Sequence, residues 1–196
     1  MQNREGETTA ANVEKVNESK PRRVVVLGTT GAGKSTAART IAERIDAEHV
    51  ELDGLHHGPN WTPREDFVGR VEELAGGSRW VFDGNYYDRV GASLWPRADL
   101  IVWLDLPLRV IIPRIVRRTV LRIVRRTELW NGNRENWSAL VGRDSLLVWA
   151  VQSQRRDRRD LPARLAALAE LGVRVVRLRS PAAANRWIAE LPGSAT

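Results

Sequence analysis

The stretch LGTTGAGKST, residues 27–36, decides the fold of this chain. It contains the pattern GxxxxGK[ST] in full, follows the apolar run RVVVL (residues 23–27) and leads into helical spacing from Lys34 to Ile45. The glycines allow a loop whose backbone N–H groups turn inward, and the start of the following helix adds a positive dipole. Strand, loop and helix in this order predict a site for the phosphates of a nucleotide.

The loop residues have separate predicted roles at that site. The Lys34 ammonium is expected to neutralise the β- and γ-phosphates of ATP, and the Ser35 hydroxyl is expected to bind Mg²⁺. The remaining residues surround the phosphates with backbone. The predicted ATP-binding residues are Gly28, Thr29, Thr30, Gly31, Ala32, Gly33, Lys34, Ser35 and Thr36.

A second ligand for Mg²⁺ is expected from a carboxylate at the end of a neighbouring strand. Asp53, Asp83 and Asp105 each end or follow an apolar run. In the pair Asp83-Gly84 the glycine leaves room for metal and phosphate, so Asp83 is the first choice as metal ligand and catalytic carboxylate. Asp105 precedes Leu106-Pro107 and is suited instead to orient the segment that follows it.

Short apolar runs alternate with helical patterns along the chain. This alternation predicts a five-stranded parallel sheet in a three-layer α/β/α fold. Thr62, Pro63 and Glu65 form a capping box that predicts a helix start, and the helix is expected to end near Gly76-Gly77. The predicted strands are Arg23–Leu27, Glu48–Leu52, Arg79–Phe82, Leu100–Leu104 and Val173–Leu178, with a closing helix over Pro181–Leu191.

A long helical insertion is predicted between the fourth and fifth strands, over about residues 108–171. Arg114, Arg118, Arg122 and Arg125 share one face at three- and four-residue spacing. Pro113 lacks the N–H that a helix interior needs, so the helix is expected to restart or kink there.

Composition narrows the classes of function. The 196 residues carry a net charge of +7, which favours acidic ligands such as nucleotides, phosphates or nucleic acid. The absence of cysteine excludes disulfides, thiolate metal sites and cysteine nucleophiles. Residues 1–20 read as a disordered leader and residues 21–196 as a single domain. No apolar run reaches the roughly 18 residues of a membrane span, and the chain is expected to be cytoplasmic.

Taken together, these segments resemble the adenylate kinase-like P-loop NTPase fold, the group of nucleoside monophosphate, shikimate and gluconate kinases. More narrowly, the chain is similar to small bacterial proteins described as adenylate-kinase-related or DNA topology modulation (FlaR-like) proteins. The resemblance covers nearly everything from Arg22 onward. It rests on GTTGAGKST, LDGLHHGPNWTPREDF, RWVFDGNY, LIVWLDLP and the arginine stretch through ELWNGNRENW.

The resemblance implies that the insertion, over about residues 108–160, is a lid that closes over ATP. Lid arginines would then offset charge on the transferred phosphoryl group. Arg114 and Arg118 lie where the lid begins, and Arg155 and Arg159 follow it. Two of these four are expected to contact phosphate.

The acceptor side departs from adenylate kinases. They follow the Asp-Gly pair with Phe-Pro-Arg, whereas this chain has Asn85-Tyr86. Asp53 resembles the carboxylate that contacts the acceptor hydroxyl in shikimate and gluconate kinases, so it is the expected base or positioning group. An acceptor pocket is expected from Asp53, His56, Asn85 and Tyr86.

The leading hypothesis is an ATP- and Mg²⁺-dependent phosphotransferase acting on a small hydroxyl- or phosphate-bearing molecule, as a monomer or homodimer. The alternative is a nucleotide-dependent nucleic-acid-binding or regulatory protein that uses its arginine helix on phosphate backbone. A kinase of nucleic-acid ends or a toxin-like kinase would share the fold. A motor is the weakest hypothesis, because the single domain leaves nothing to couple hydrolysis to movement.

Overall fold

The computed structural model describes residues 20–142 and 145–192. The predicted leader therefore lies outside the described residues except for Lys20. The strands are β1 (Arg23–Gly28), β2 (Glu48–Glu51), β3 (Trp80–Asp83), β4 (Leu100–Leu104) and β5 (Arg174–Leu178). The helices are α1 (Lys34–Ile45), α2 (Leu52–His56), α3 (Phe67–Ala75), α4 (Ala92–Leu94), α5 (Leu108–Val124), α6 (Leu146–Glu170) and α7 (Pro181–Glu190).

The five strands form one parallel sheet in the order β2-β3-β1-β4-β5. The phosphate loop leaves the central strand β1, between β3 and β4. Because all strands run the same way, the loop shares the carboxyl edge of the sheet with Glu51, Asp83 and Asp105, at the ends of neighbouring strands. The sheet thus gathers the phosphate loop and several carboxylates at one edge.

Two hydrophobic cores lie on opposite faces of the sheet, which gives the predicted three layers. One joins alternate residues of β1 and β4 to α1, α5 and α7. The other joins the intervening residues to α3, the segment after β3 and the second half of α6. The three central strands β1, β3 and β4 are buried on both sides because apolar residues occupy almost every position, whereas the edge strands β2 and β5 carry charged residues and are partly exposed.

The predicted strands are confirmed to within one residue at each end, and the ends of α1 and α7 also agree closely. The predicted capping box is wrong. Helix α3 begins only at Phe67, and the Thr62 hydroxyl donates to the Pro59 carbonyl at 2.7 Å instead. Pro63 instead pairs with His57 in an isolated antiparallel bridge. This bridge closes a tight loop over residues 57–63 and keeps Pro63 in an extended segment.

Helix α5 continues through Pro113 without restarting. Pro113 lies in its second turn and is exposed, so the carbonyl that loses its partner lies near the helix start, where water can reach it. No helix among the described residues is long and apolar enough to span a membrane.

Candidate active site

The phosphate loop is held open by glycines with left-handed backbone. Gly31 and Gly33 have φ values of 78° and 95°, and the Ala32 N–H donates to the Thr29 carbonyl at 3.0 Å. A Cβ on Gly31 would lie 2.6 Å from Cγ1 of Ile115. Glycine is therefore needed there for its backbone angles and because α5 packs directly on the loop.

Two cations lie against the loop. The Lys34 ammonium is 3.5 Å from the Thr29 carbonyl oxygen, and Arg114 donates from Nη1 to the Ala32 carbonyl at 3.2 Å. Arg114 comes from α5, so the first lid helix places its charge beside the loop. Both cations rest on backbone carbonyls, which are weak partners for a full positive charge. A bound phosphate would be a stronger partner for each.

An open cavity of about 750 Å³ extends from the phosphate loop to the end of β2. Its volume is in the range of small-molecule sites. Basic side chains line one part and two carboxylates another, so a single ligand space has both signs of charge. The lining includes residues 30–37 of the loop and α1, the cations Arg39, Arg44, Arg114, Arg118 and Arg122, the carboxylates Glu51 and Asp53, and Trp130.

Arg118 is the least satisfied of these cations. Its Nε is buried and has no hydrogen-bond partner among the described residues. Burial, together with the positive charge of Arg122, lowers the pKa of Arg118. Arg122 differs, because it donates to Glu135 at 2.9 Å. A buried guanidinium that faces a cavity in this way is suited to bind an anion.

Asp53 lines the same cavity and lies beside a cluster of aromatic side chains. The Tyr86 hydroxyl donates to Asp53 Oδ1 at 2.8 Å, and Tyr86 also lies 4.8 Å from the His56 ring. Burial and the Asp53 charge raise the pKa of Tyr86, so its hydroxyl stays protonated and remains a donor. Only one carboxylate oxygen of Asp53 is thus engaged by Tyr86. His56 is itself buried, which lowers its pKa and favours the neutral ring.

The expected acceptor pocket is therefore brought together in part. Asp53, His56 and Tyr86 are adjacent, as predicted. Asn85 points elsewhere, because its side chain contacts Gly28 at the start of the phosphate loop.

The lid segment after α5 is docked on the loop that follows β2. Asn133 accepts from the Trp61 N–H at 2.9 Å and donates to the Gly58 carbonyl at 2.9 Å. Trp130 donates from Nε1 to Glu51 at 2.8 Å and covers Gly54, where a Cβ would lie 2.7 Å from its ring. Trp130, from the predicted lid, thus forms part of the cavity wall.

Asn133→Ala is expected to loosen this contact. The substitution leaves the Trp61 N–H and the Gly58 carbonyl without their partner, at a cost of about 1 kcal/mol for each hydrogen bond. Amide hydrogen exchange in residues 54–61 should then become about tenfold faster. Asn136→Ala is the matched control, since Asn136 is exposed and contacts only Ser138 in its own turn. Equal exchange rates in the two variants would contradict the docking.

The carboxylates differ in their access to the cavity. Asp105 is buried and paired with Arg158 of α6 at 2.7 Å and Arg177 of β5 at 2.6 Å, so its partners lie on distant elements and not on the segment that follows it. Asp83 is 3% exposed, and its Oδ2 lies 3.5 Å from Nε2 of His49. Unlike Glu51 and Asp53, Asp83 is not among the described residues that line the cavity.

Two oxygen donors of the kind that Mg²⁺ prefers, the Ser35 hydroxyl and the Glu51 carboxylate, line the same cavity, so the residues present fit this ion. Within residues 20–142 and 145–192, no three histidine, aspartate or glutamate side chains converge to hold an ion by themselves. Assignment of Asp83 as a ligand stays a prediction.

The four predicted lid arginines separate into two pairs. Arg114 and Arg118 line the cavity. Arg155 and Arg159, in the described part of α6, are exposed and lie outside that lining, and Arg159 pairs with its neighbour Asp160 at 2.7 Å. The structure therefore brings the first pair, and not the second, to the phosphate loop.

Sequence reasoning missed Asp157, a buried carboxylate on α6. The Asn85 amide accepts from the Gly28 N–H at 2.8 Å and donates to Asp157 Oδ2 at 2.7 Å. Burial raises the pKa of Asp157 to about 6, against opposing effects of Arg156 and Lys34. In the stretch RRDRRD (residues 155–160) Asp157 is one charge among several, and its four-residue spacing to Leu161 and Leu165 is the signal that could have placed it on the buried face of α6.

Three solved structures to which this chain is similar are small kinases. Shikimate kinase from Bacteroides thetaiotaomicron superposes with a TM-score of 0.52 at 15% identity, over 87% of this chain and 96% of that one. The two chains share a fold. A gluconokinase from Sinorhizobium meliloti gives 0.48 at 21% identity, over 88% and 94% of the two chains. Shikimate kinase from Acinetobacter baumannii, solved with shikimate, gives 0.49 at 17%, over 89% and 93%. No protein-family model and no curated protein sequence matches the chain.

Proposed function

We propose that this protein is a cytoplasmic ATP-dependent phosphotransferase that transfers the γ-phosphoryl group to a hydroxyl of a small molecule. One observation carries the proposal: a single cavity is lined by Lys34, Ser35 and Asp53, with Arg118 also in its wall. This arrangement supplies phosphate binding, charge neutralisation and a carboxylate for the acceptor within one ligand space. Membership of the DNA topology modulation group is part of the proposal and rests on the quoted motifs.

The proposed reaction assigns a step to each group. The acceptor hydroxyl oxygen forms a bond to the γ-phosphorus while the bond to the β–γ bridging oxygen breaks and ADP leaves. Lys34, Arg114 and Arg118 stabilise the charge on the transferred group. Asp53 orients the acceptor hydroxyl and takes its proton on the oxygen that Tyr86 leaves available. Bound Mg²⁺ would be held by Ser35 with Glu51 or the predicted Asp83 as its carboxylate, and would neutralise phosphate charge.

The test is a screen of purified protein with Mg-ATP against nucleoside monophosphates, sugar acids, other small polyols and short oligonucleotides. ADP release that depends on a small hydroxyl-bearing acceptor is the expected result. Release that depends only on oligonucleotide ends would favour a nucleic-acid kinase. DNA affinity that falls steeply with salt, without any acceptor-dependent ADP release, would favour the nucleic-acid-binding alternative, for which exposed Arg117, Arg125 and Arg126 on and after α5 supply charge.

A further inference from the structure

Asp157 is a buried carboxylate with one oxygen satisfied and the other without a partner. Its residue exposure is 1%, and Oδ2 accepts from the Asn85 amide at 2.7 Å. Oδ1 is buried and finds no hydrogen-bond partner among the described residues. Leaving a charged oxygen in this state is costly, so a group with this geometry needs a functional or structural reason.

The hydrogen bonds determine which way the Asn85 amide faces. The Gly28 N–H can only donate, so the amide oxygen must face Gly28 and the amide nitrogen must face Asp157. Asp157 Oδ2 must in turn accept. Any proton on this carboxylate therefore resides on Oδ1. Through Asn85, helix α6 is linked in this way to Gly28, the first residue of the phosphate loop.

The charges around Asp157 come from three parts of the chain. Arg156 and Asp160 belong to its own helix α6, and Lys34 comes from the start of α1. The negative charge of Asp157 also contributes to raising the pKa of Tyr87, in the segment after β3. Of the cations, Arg156 also lies over the Tyr87 and Trp149 rings, so it is held in place by aromatic contacts. Lys34 is the cation that a bound triphosphate would engage.

We propose that Asp157 positions the phosphate loop by holding Asn85 against Gly28, and that Asp157 takes up a proton from solvent when a triphosphate binds to Lys34. The inference rests on the proposed function, since it assumes that the loop binds ATP. Without ligand, the Lys34 charge helps to keep Asp157 ionised. A triphosphate neutralises that charge and brings further negative charge nearby, so both effects favour the protonated carboxyl. Affinity for Mg-ATP should accordingly rise as the pH falls from 7.5 to 6.

Calorimetry of Mg-ATP binding at pH 6.5, in two buffers with different ionisation enthalpies, measures the protons taken up. With a pKa of about 6, about a quarter of Asp157 is protonated before binding, so uptake of up to about 0.7 proton is expected. Asp157→Asn should lower the uptake by that amount, because asparagine cannot titrate. Asp46→Asn, which removes an exposed carboxylate just after α1 that is not among the charges acting on Asp157, should behave as the unsubstituted protein.

Asp157→Ala tests the positioning half. It removes the acceptor for the Asn85 amide, and Mg-ATP affinity at pH 7.5 should fall about five- to tenfold as the loop loses preorganisation. Asp157→Asn should restore most of that affinity, since its amide oxygen can still accept from Asn85. Two results would overturn the inference and leave the proposed function standing. One is equal proton uptake by Asp157→Asn and the unsubstituted protein. The other is equal Mg-ATP affinity of Asp157→Ala and the unsubstituted protein. Absence of Mg-ATP binding by the unsubstituted protein would overturn both.

Discussion

Lys34→Ala is expected to lower the rate of phosphoryl transfer by about a thousandfold, the largest effect of any single substitution. Lys34 lines the cavity, and the only partner recorded for its ammonium among the described residues is a backbone carbonyl at 3.5 Å, so its charge is available to the β- and γ-phosphates. Alanine removes that charge where negative charge is greatest. The measurement is acceptor-dependent ADP release at saturating acceptor, together with Mg-ATP affinity.

Lys20→Ala is the matched control for charge. Lys20 lies before β1, at the opposite edge of the sheet from the phosphate loop, and its loss should leave transfer unchanged. If Lys34→Ala retained the full transfer rate, the loop would not be the donor site, and the assignment of residues 28–36 to ATP would be wrong.

Asp53→Asn is expected to lower kcat by about a hundred- to a thousandfold while Mg-ATP affinity changes by less than about twofold. The substitution keeps the shape of the side chain and an oxygen for the Tyr86 hydroxyl, but the amide cannot take the proton of the acceptor. The loss should therefore appear in chemistry more than in nucleotide binding. Steady-state kinetics with the acceptor from the screen, together with calorimetry of Mg-ATP, separate the two quantities.

Asp46→Asn is the control for removal of a carboxylate, since Asp46 is an exposed residue just after α1 with left-handed backbone, which asparagine tolerates. Asp83→Asn adds the decisive comparison. If Asp53→Asn cost nothing while Asp83→Asn abolished transfer, Asp53 would not serve the acceptor, and Asp83 would be the essential carboxylate at this edge of the sheet.

The sequence predicted the sheet well because each strand corresponds to a short, continuous run of residues. The runs VVVL (residues 24–27) and LIVWL (residues 100–104) are apolar at every position, and a strand covered on both faces needs that composition. Local signals also predicted the phosphate loop, since its glycines and lysine lie within one continuous stretch. The start of α3 was missed because the bridge between His57 and Pro63 overrides the capping pattern at Thr62.

The missed parts of the candidate site depend on contacts between distant residues. Asn85 and Asp157 are 72 positions apart, and Trp61 and Asn133 are also 72 apart. Neither pair has a pattern in the sequence, because asparagine and aspartate are as common on loops and exposed helices as in buried networks. Likewise, helical spacing grouped Arg114 with Arg118 correctly, but it could not indicate that Arg155 and Arg159 lie on an exposed part of α6.

Two consecutive residues of α6 are hydrogen-bonded to residues that follow two different strands. Asp157 is bonded to Asn85, beyond the end of β3, and Arg158 is bonded to Asp105, just after β4. These two hydrogen bonds hold neighbouring residues of α6 against two separate segments at the carboxyl edge of the sheet. A movement of the proposed lid that displaced residues 157 and 158 would break both bonds and leave the buried Asp157 and Asp105 with fewer partners. Closure of the proposed lid is therefore expected to move the chain before residue 157 and to leave these two contacts intact.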